Sequence, residues 1–204
     1  MTVDTPRKLL KNHCLWGVVL AFLVVGFVLI SPKTAEMPSE DEGAAKPLTL
    51  EGPTLPEAEP VELSIPKINI TAPFGSALGL ESDGAVAVPE SYTEVGWYKF
   101  GPTPGEVGPA VILGHVDSFE GPAVFFSLGQ LAPGDDIFVN RADGSKAHFV
   151  VTELERNDQE SFPTKKVYGD INHAGLRLIT CSGIFNKGKQ RYSHNLIVYA
   201  KLVE

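Results

Sequence analysis

Between Cys14 and Ile30 the chain reads CLWGVVLAFLVVGFVLI, 17 residues without a charge. That length is the short end of what crosses a bilayer as a helix, roughly 17–25 residues. Arg7, Lys8 and Lys11 precede the run against one acid, Asp4, and only Lys33 comes closely after it. The positive-inside bias keeps the N-terminus in the cytoplasm and places the chain beyond Ile30 outside the cell. A cleaved signal peptide shares the basic-then-apolar order, but its core is about 7–15 residues and SPKTAE is a poor cleavage site. A retained, single-pass anchor in the cell membrane is the expectation.

The anchor divides the chain into four parts: a cytoplasmic tail (1–13), the transmembrane segment (14–30), a linker (31–60) and an extracellular domain (61–204). Residues 31–60 hold six prolines and seven acids and no aromatic. Such a segment buries too little apolar surface to offset its ordering entropy and is expected to be a disordered, extended stalk. The first 30 residues contain three of the 17 basic residues and one of the 25 acids, so the exported part carries 14 against 24, a net −10. That balance argues against a nucleic-acid partner, which would call for a basic face. No P-loop, dinucleotide-binding glycine pattern, CxxC pair or HExxH is present.

From Val61 onward short apolar runs alternate with Gly, Pro and Asp turns. VELSIPKINI, GAVAVPE, PAVILGHVDS, DDIFVN, KAHFVVTELE, LRLITC and NLIVYAKLV all read as strands, the fourth and fifth joined as a hairpin through RADG. AVFFSLGQL and FPTKKVYGD are the two candidates for short helices. The expected class is all-β, a closed barrel or a sandwich, with a closed barrel carrying short helices the favoured reading.

Cys181 ends the run LRLITC. The other cysteine, Cys14, lies at the cytoplasmic edge of the anchor, so topology excludes a disulfide between them. A leftover exported thiol is either a small buried hydrophobe or a reactive group. A reactive thiol needs a nearby base or cation that favours its thiolate. Lys187 and Lys189 read as solvated loop charges, whereas Arg191 stands where a strand resumes. If the flanking strands pair, the loop 182–190 returns Arg191 beside Cys181, where a guanidinium would stabilise an oxyanion. His148 reads as an ordinary strand residue; His173 and His194 lie in turns near the cysteine in sequence. His115 closes a buried strand after a glycine that permits close backbone approach, with Asp117 and Ser118 next along the chain, and is the favoured base. No ligand pair has a short spacing usable for zinc.

Together the ITC that ends a strand, the arginine ten positions later and the upstream LGHVDS resemble the sortase family. The string GWYKFGPTPGEVGPAVILGHVDSFEGPAVFFSLGQLAPGD is most similar to class F (actinobacterial) sortases, with class E next, and the resemblance spans residues 61–204. One departure stands out: Arg177 occupies the position of the first threonine in the usual TLxTC.

The resemblance implies a sortase-type barrel and a cysteine transpeptidase. Cys181 matches the nucleophile, His115 the acid/base and Arg191 the oxyanion and substrate stabiliser. Thr180 matches a position that helps place substrate, and Asp117 one that could orient the histidine. The implied reaction cleaves an LPxTG-type sorting motif of a surface protein and passes the acyl group to a cell-wall peptide or another amine, with no metal or organic cofactor. Two rivals stand beside it: an L,D-transpeptidase-like enzyme, whose S-H-G-x-C pattern is missing here, and a silent anchored β-domain that binds wall components.

Overall fold

The computed structural model describes residues 49–204; the expected tail, transmembrane segment and residues 31–48 of the linker lie outside the described residues. Among the described residues there are ten strands: β1 Pro60–Ile65, β2 Ile70–Pro73, β3 Gly96–Trp97, β4 Gly108–Leu113, β5 Asp117–Ser118, β6 Gly121–Pro122, β7 Asp136–Arg141, β8 Lys146–Asp158, β9 Ala174–Asn186 and β10 Arg191–Leu202. One α-helix, α1 Thr164–Tyr168, and three 3-10 turns accompany them. Eight strands form one sheet in the order β2-β1-β7-β8-β10-β9-β4-β3, while β5 and β6 make a separate small hairpin. The pair β4–β9 is parallel; its neighbours in the sheet are antiparallel.

The long central strands are buried on both faces, and their continuous apolar runs reflect it. Successive side chains of a strand point to opposite faces. Ala110, Ile112, Leu176, Leu178, Leu196 and Val198 therefore meet Phe125 and Phe149 in the main core. Val111, Ile179, Ile197 and Tyr199 face the other way, where Val167 of α1 covers them. Burying each Val, Leu, Ile or Phe among them contributes about 1.5–3 kcal/mol. β7 and the start of β8 instead alternate, with Ile137, Val139, Ala147 and Phe149 inside. Their hairpin turns at Gly144, whose φ of 83° suits glycine and whose N–H donates to Arg141 O at 3.0 Å.

At the ends of the sheet order, Gly75 N–H donates to Val95 O at 2.9 Å and Val95 N–H to Pro73 O at 3.1 Å, linking the chain after β2 to that before β3. Bridges at Phe74–Val95 and Leu78–Tyr98 extend the contact.

Several local expectations are revised. GAVAVPE forms only a single bridge, Leu80 to Val86: Gly84 turns it at a φ of 84° and Val88 stays exposed rather than packing on the core. AVFFSLGQL contains a 3-10 turn, Leu128–Gln130, and no α-helix. Its buried residues Phe125, Leu128 and Leu131 recur every third position, the period of tight turns. FPTKKVYGD does form α1. The loop expected after Cys181 is mostly strand: β9 runs to Asn186, and only residues 187–190 separate it from β10. Residues at the end of the expected linker pack on the domain. Glu51 N–H donates to Asn172 O, Leu55 N–H to Gly105 O, and the buried Arg141 guanidinium to Pro56 O.

Candidate active site

The parallel pairing of β4 and β9 ends with Leu113 opposite Ile179. Gly114 N–H then donates to Ile179 O at 3.2 Å. Each chain runs on two residues beyond that pair, one to His115 and the other to Cys181, so the register brings them to matching positions at one end of adjacent strands. Gly114 is required for this. A Cβ there would stand 2.7 Å from Phe125 Cδ2 and 2.9 Å from Val124 Cγ1, in space that the core already fills.

His115, Cys181 and Arg191 line a common cavity of about 490 Å³, together with Tyr92, Asp117 and Tyr192. A second cavity of about 650 Å³ adjoins it at Cys181 and also reaches Thr180, Arg156 and His194. The His115 ring lies against Tyr92, centroids 4.7 Å apart, and its Nε2–H donates to Pro89 O at 2.7 Å. A carbonyl oxygen only accepts, so this bond keeps a hydrogen on Nε2. Asp117 makes no hydrogen bond to His115 among the described residues; its carboxylate accepts the Tyr192 hydroxyl instead. That bond, with some burial, pushes the Tyr192 phenol up to about 12.

Cys181 is half-buried and opposite Asn195 of β10. Burial pushes its thiol up, and the charge of Asp117 pushes it further in the same direction. The resting sulfur is therefore a thiol over the neutral range, and a thiolate must be stabilised from outside those two influences. Thr180 is 4% exposed, and its hydroxyl has no hydrogen-bond partner among the described residues.

Arg191 is not the cross-strand neighbour of Cys181 that sequence reading expects; it faces Asn186, because β9 continues past the cysteine. It still lines the cavity, and its Nη2 meets Glu160 Oε1 at 3.1 Å. Both partners are largely exposed, so this ion pair is worth at most about 1 kcal/mol and is easily released. Lys189 reaches the same carboxylate at 4.0 Å.

The other histidines are occupied elsewhere or stand apart. His148 stacks on Phe138 and meets Asp136 at 2.7 Å. His173 precedes the far end of β9, about 26 Å from Cys181 by strand rise. His194 does border the second cavity, but its Nε2 meets Asp158 Oδ1 at 3.0 Å and its Nδ1 lies 2.6 Å from Ser193 Oγ. Among the described residues no three His, Cys, Asp or Glu side chains gather as a metal would require. Sequence reading missed Tyr92, Pro89, Gln159 and Tyr192. Only Tyr192 carried a signal, as an aromatic directly after the arginine.

A curled β-sheet with few helices is the fold of the solved sortases. Sortase A from Corynebacterium diphtheriae superposes with a TM-score of 0.55 at 23% identity, covering 72% of this chain and 62% of that one. Sortase C-1 from Actinomyces oris gives 0.55 at 22%, covering 72% and 76%. Sortase C1 of Streptococcus agalactiae, in complex with MTSET, gives 0.54 at 21%, covering 70% and 66%. At these identities the likeness is one of fold, and the chain spans less than two thirds of the first of these proteins. No curated protein matches. The sortase domain family matches residues 63–203, and the chain belongs to that family, whose members are cysteine transpeptidases.

Proposed function

We propose that this chain is a membrane-anchored sortase of the class F kind, held by residues 14–30 with its catalytic domain outside the cell. Its substrates are surface proteins bearing an LPxTG-type motif, and its acceptor is a cell-wall peptide or another amine. We read the bonds between the segments flanking β2 and β3 as the closure of the barrel. The observation that carries the proposal is the meeting of His115, Cys181 and Arg191 on one cavity.

That placement sets the chemistry. His115 takes the proton of the Cys181 thiol, the thiolate attacks the Thr–Gly carbonyl carbon, a C–S bond forms, and the carbonyl π pair moves onto oxygen. Arg191, released from Glu160, neutralises that oxyanion. His115 as imidazolium gives a proton to the departing glycine amine, leaving a thioacyl enzyme. The neutral imidazole then takes a proton from the incoming amine, which displaces the sulfur. Thr180, with its free buried hydroxyl, supplies a hydrogen bond to the bound peptide.

The test is cleavage of an LPxTG peptide by the full chain in detergent, with an amine acceptor. Cys181→Ala is expected to be inactive, and His115→Ala and Arg191→Ala to lose about 10²-fold or more. His173→Ala and His194→Ala should stay within about twofold. A dead His194→Ala beside an active His115→Ala would overturn the assignment.

A further inference from the structure

Among the described residues the Cys181 sulfur receives one hydrogen bond, and it comes from Gln159, whose Nε2 lies 3.9 Å away. Gln159 begins a 3-10 turn, Gln159–Ser161, at the end of β8, while Cys181 sits 22 residues later on β9. The next residue of the turn, Glu160, holds Arg191. Two consecutive side chains of one short turn thus reach the sulfur and the arginine that share the cavity.

We propose that Gln159 is a catalytic residue whose side-chain amide donates a hydrogen bond to the Cys181 thiolate and sustains it until attack. The proposal rests on the reading of Cys181 as nucleophile and adds a donor to it. The titratable and charged groups that share the sulfur's two cavities are Tyr92, His115 and Asp117 from the segments around β4, Arg156 from β8, and Arg191, Tyr192 and His194 from β10. Asp117 works against the thiolate, and Arg191 is engaged by Glu160 in the resting site. A neutral amide at hydrogen-bond distance offsets the first without depending on release of the second. As the C–S bond forms, charge passes from sulfur to the carbonyl oxygen and the amide is freed from its partner. The proton for the leaving amine still comes from His115, so the step balances with Gln159 transferring nothing.

The experiment measures alkylation of the full chain in detergent by iodoacetamide from pH 6 to pH 10. It is read on the peptide that carries Cys181, because Cys14 also reacts. The thiolate displaces iodide, so the rate tracks the thiolate fraction and needs no sorting motif. Gln159→Leu is expected to raise the titration midpoint of the sulfur and slow alkylation at pH 7.5 by about tenfold, the worth of one hydrogen bond to a charged group. Gln159→Glu keeps the shape and hence the fold, yet cannot donate when ionised and repels the thiolate, so its midpoint should rise further. A structural role for Gln159 would leave the Gln159→Leu profile on that of the parent chain even where the charge of Gln159→Glu moves its own, and that result would overturn the proposal. If peptide cleavage failed in the parent chain while the midpoints still moved, the transpeptidase reading would fall and the role of Gln159 toward the sulfur would stand.

Discussion

The Tyr192 hydroxyl donates to the Asp117 carboxylate, tying the start of β10 to the segment that carries His115. This is a direct cross-link between two parts of the cavity whose strands, β4 and β10, both pair with β9. Tyr192→Phe removes the hydrogen and keeps the ring, which packs on Phe185 with centroids 5.2 Å apart. The expected loss is about 1 kcal/mol in a denaturant titration, with a larger proportional fall in kcat than in stability because His115 loses its brace. An unchanged kcat would show that β5 is positioned without Tyr192.

Asp117 also bears on the ionisation of Cys181, the proposed nucleophile. Its negative charge, second to burial, raises the Cys181 thiol. Asp117→Asn keeps an acceptor for Tyr192 and removes the charge, so the alkylation midpoint of Cys181 should move to lower pH. The sign carries into stability. A thiol raised in the folded state contributes stability that is fully present below the unfolded thiol value and is lost as pH rises through the folded value. The parent should therefore lose more stability than Asp117→Asn between about pH 8 and pH 10. Parallel stability curves for the two proteins would contradict this role for Asp117.

Gly114 answers for the glycine before His115. Gly114→Ala drives a methyl into Phe125 and Val124, which are packed into the core. Overpacking of this kind costs about 1–3 kcal/mol, and relief by shifting the strand end would move His115 away from Cys181. Lower thermal stability and a deeper loss of cleavage are expected together. A variant that destabilised the domain without slowing cleavage would show that His115 tolerates the shift.

Much of the fold is visible in the sequence, and the reason is local. Period-two burial in DDIFVN and KAHFVV, the RADG turn and the two-faced apolar runs of β4, β9 and β10 each express a rule acting within a few residues. His115 and Cys181 stand out because polar groups close buried strands there. The parallel pairing that makes them neighbours joins strands more than 60 residues apart and leaves no local trace. Residues 182–186 read as loop because Gly183 interrupts the apolar run and a polar stretch follows; in the structure they are strand paired to β10, with Ile184 and Phe185 exposed. Gln159 sits in a polar turn whose composition gives no hint of the sulfur it reaches.

The mechanism stands or falls on Cys181 carrying the acyl group. The direct measurement is the intact mass of the full chain after mixing with an LPxTG peptide without acceptor, and then peptide mapping. The expected product is an adduct equal to the peptide through its threonine, located on Cys181, discharged by added amine and missing from Cys181→Ala. Turnover with no adduct on Cys181, or the same adduct formed by Cys181→Ala, would contradict it.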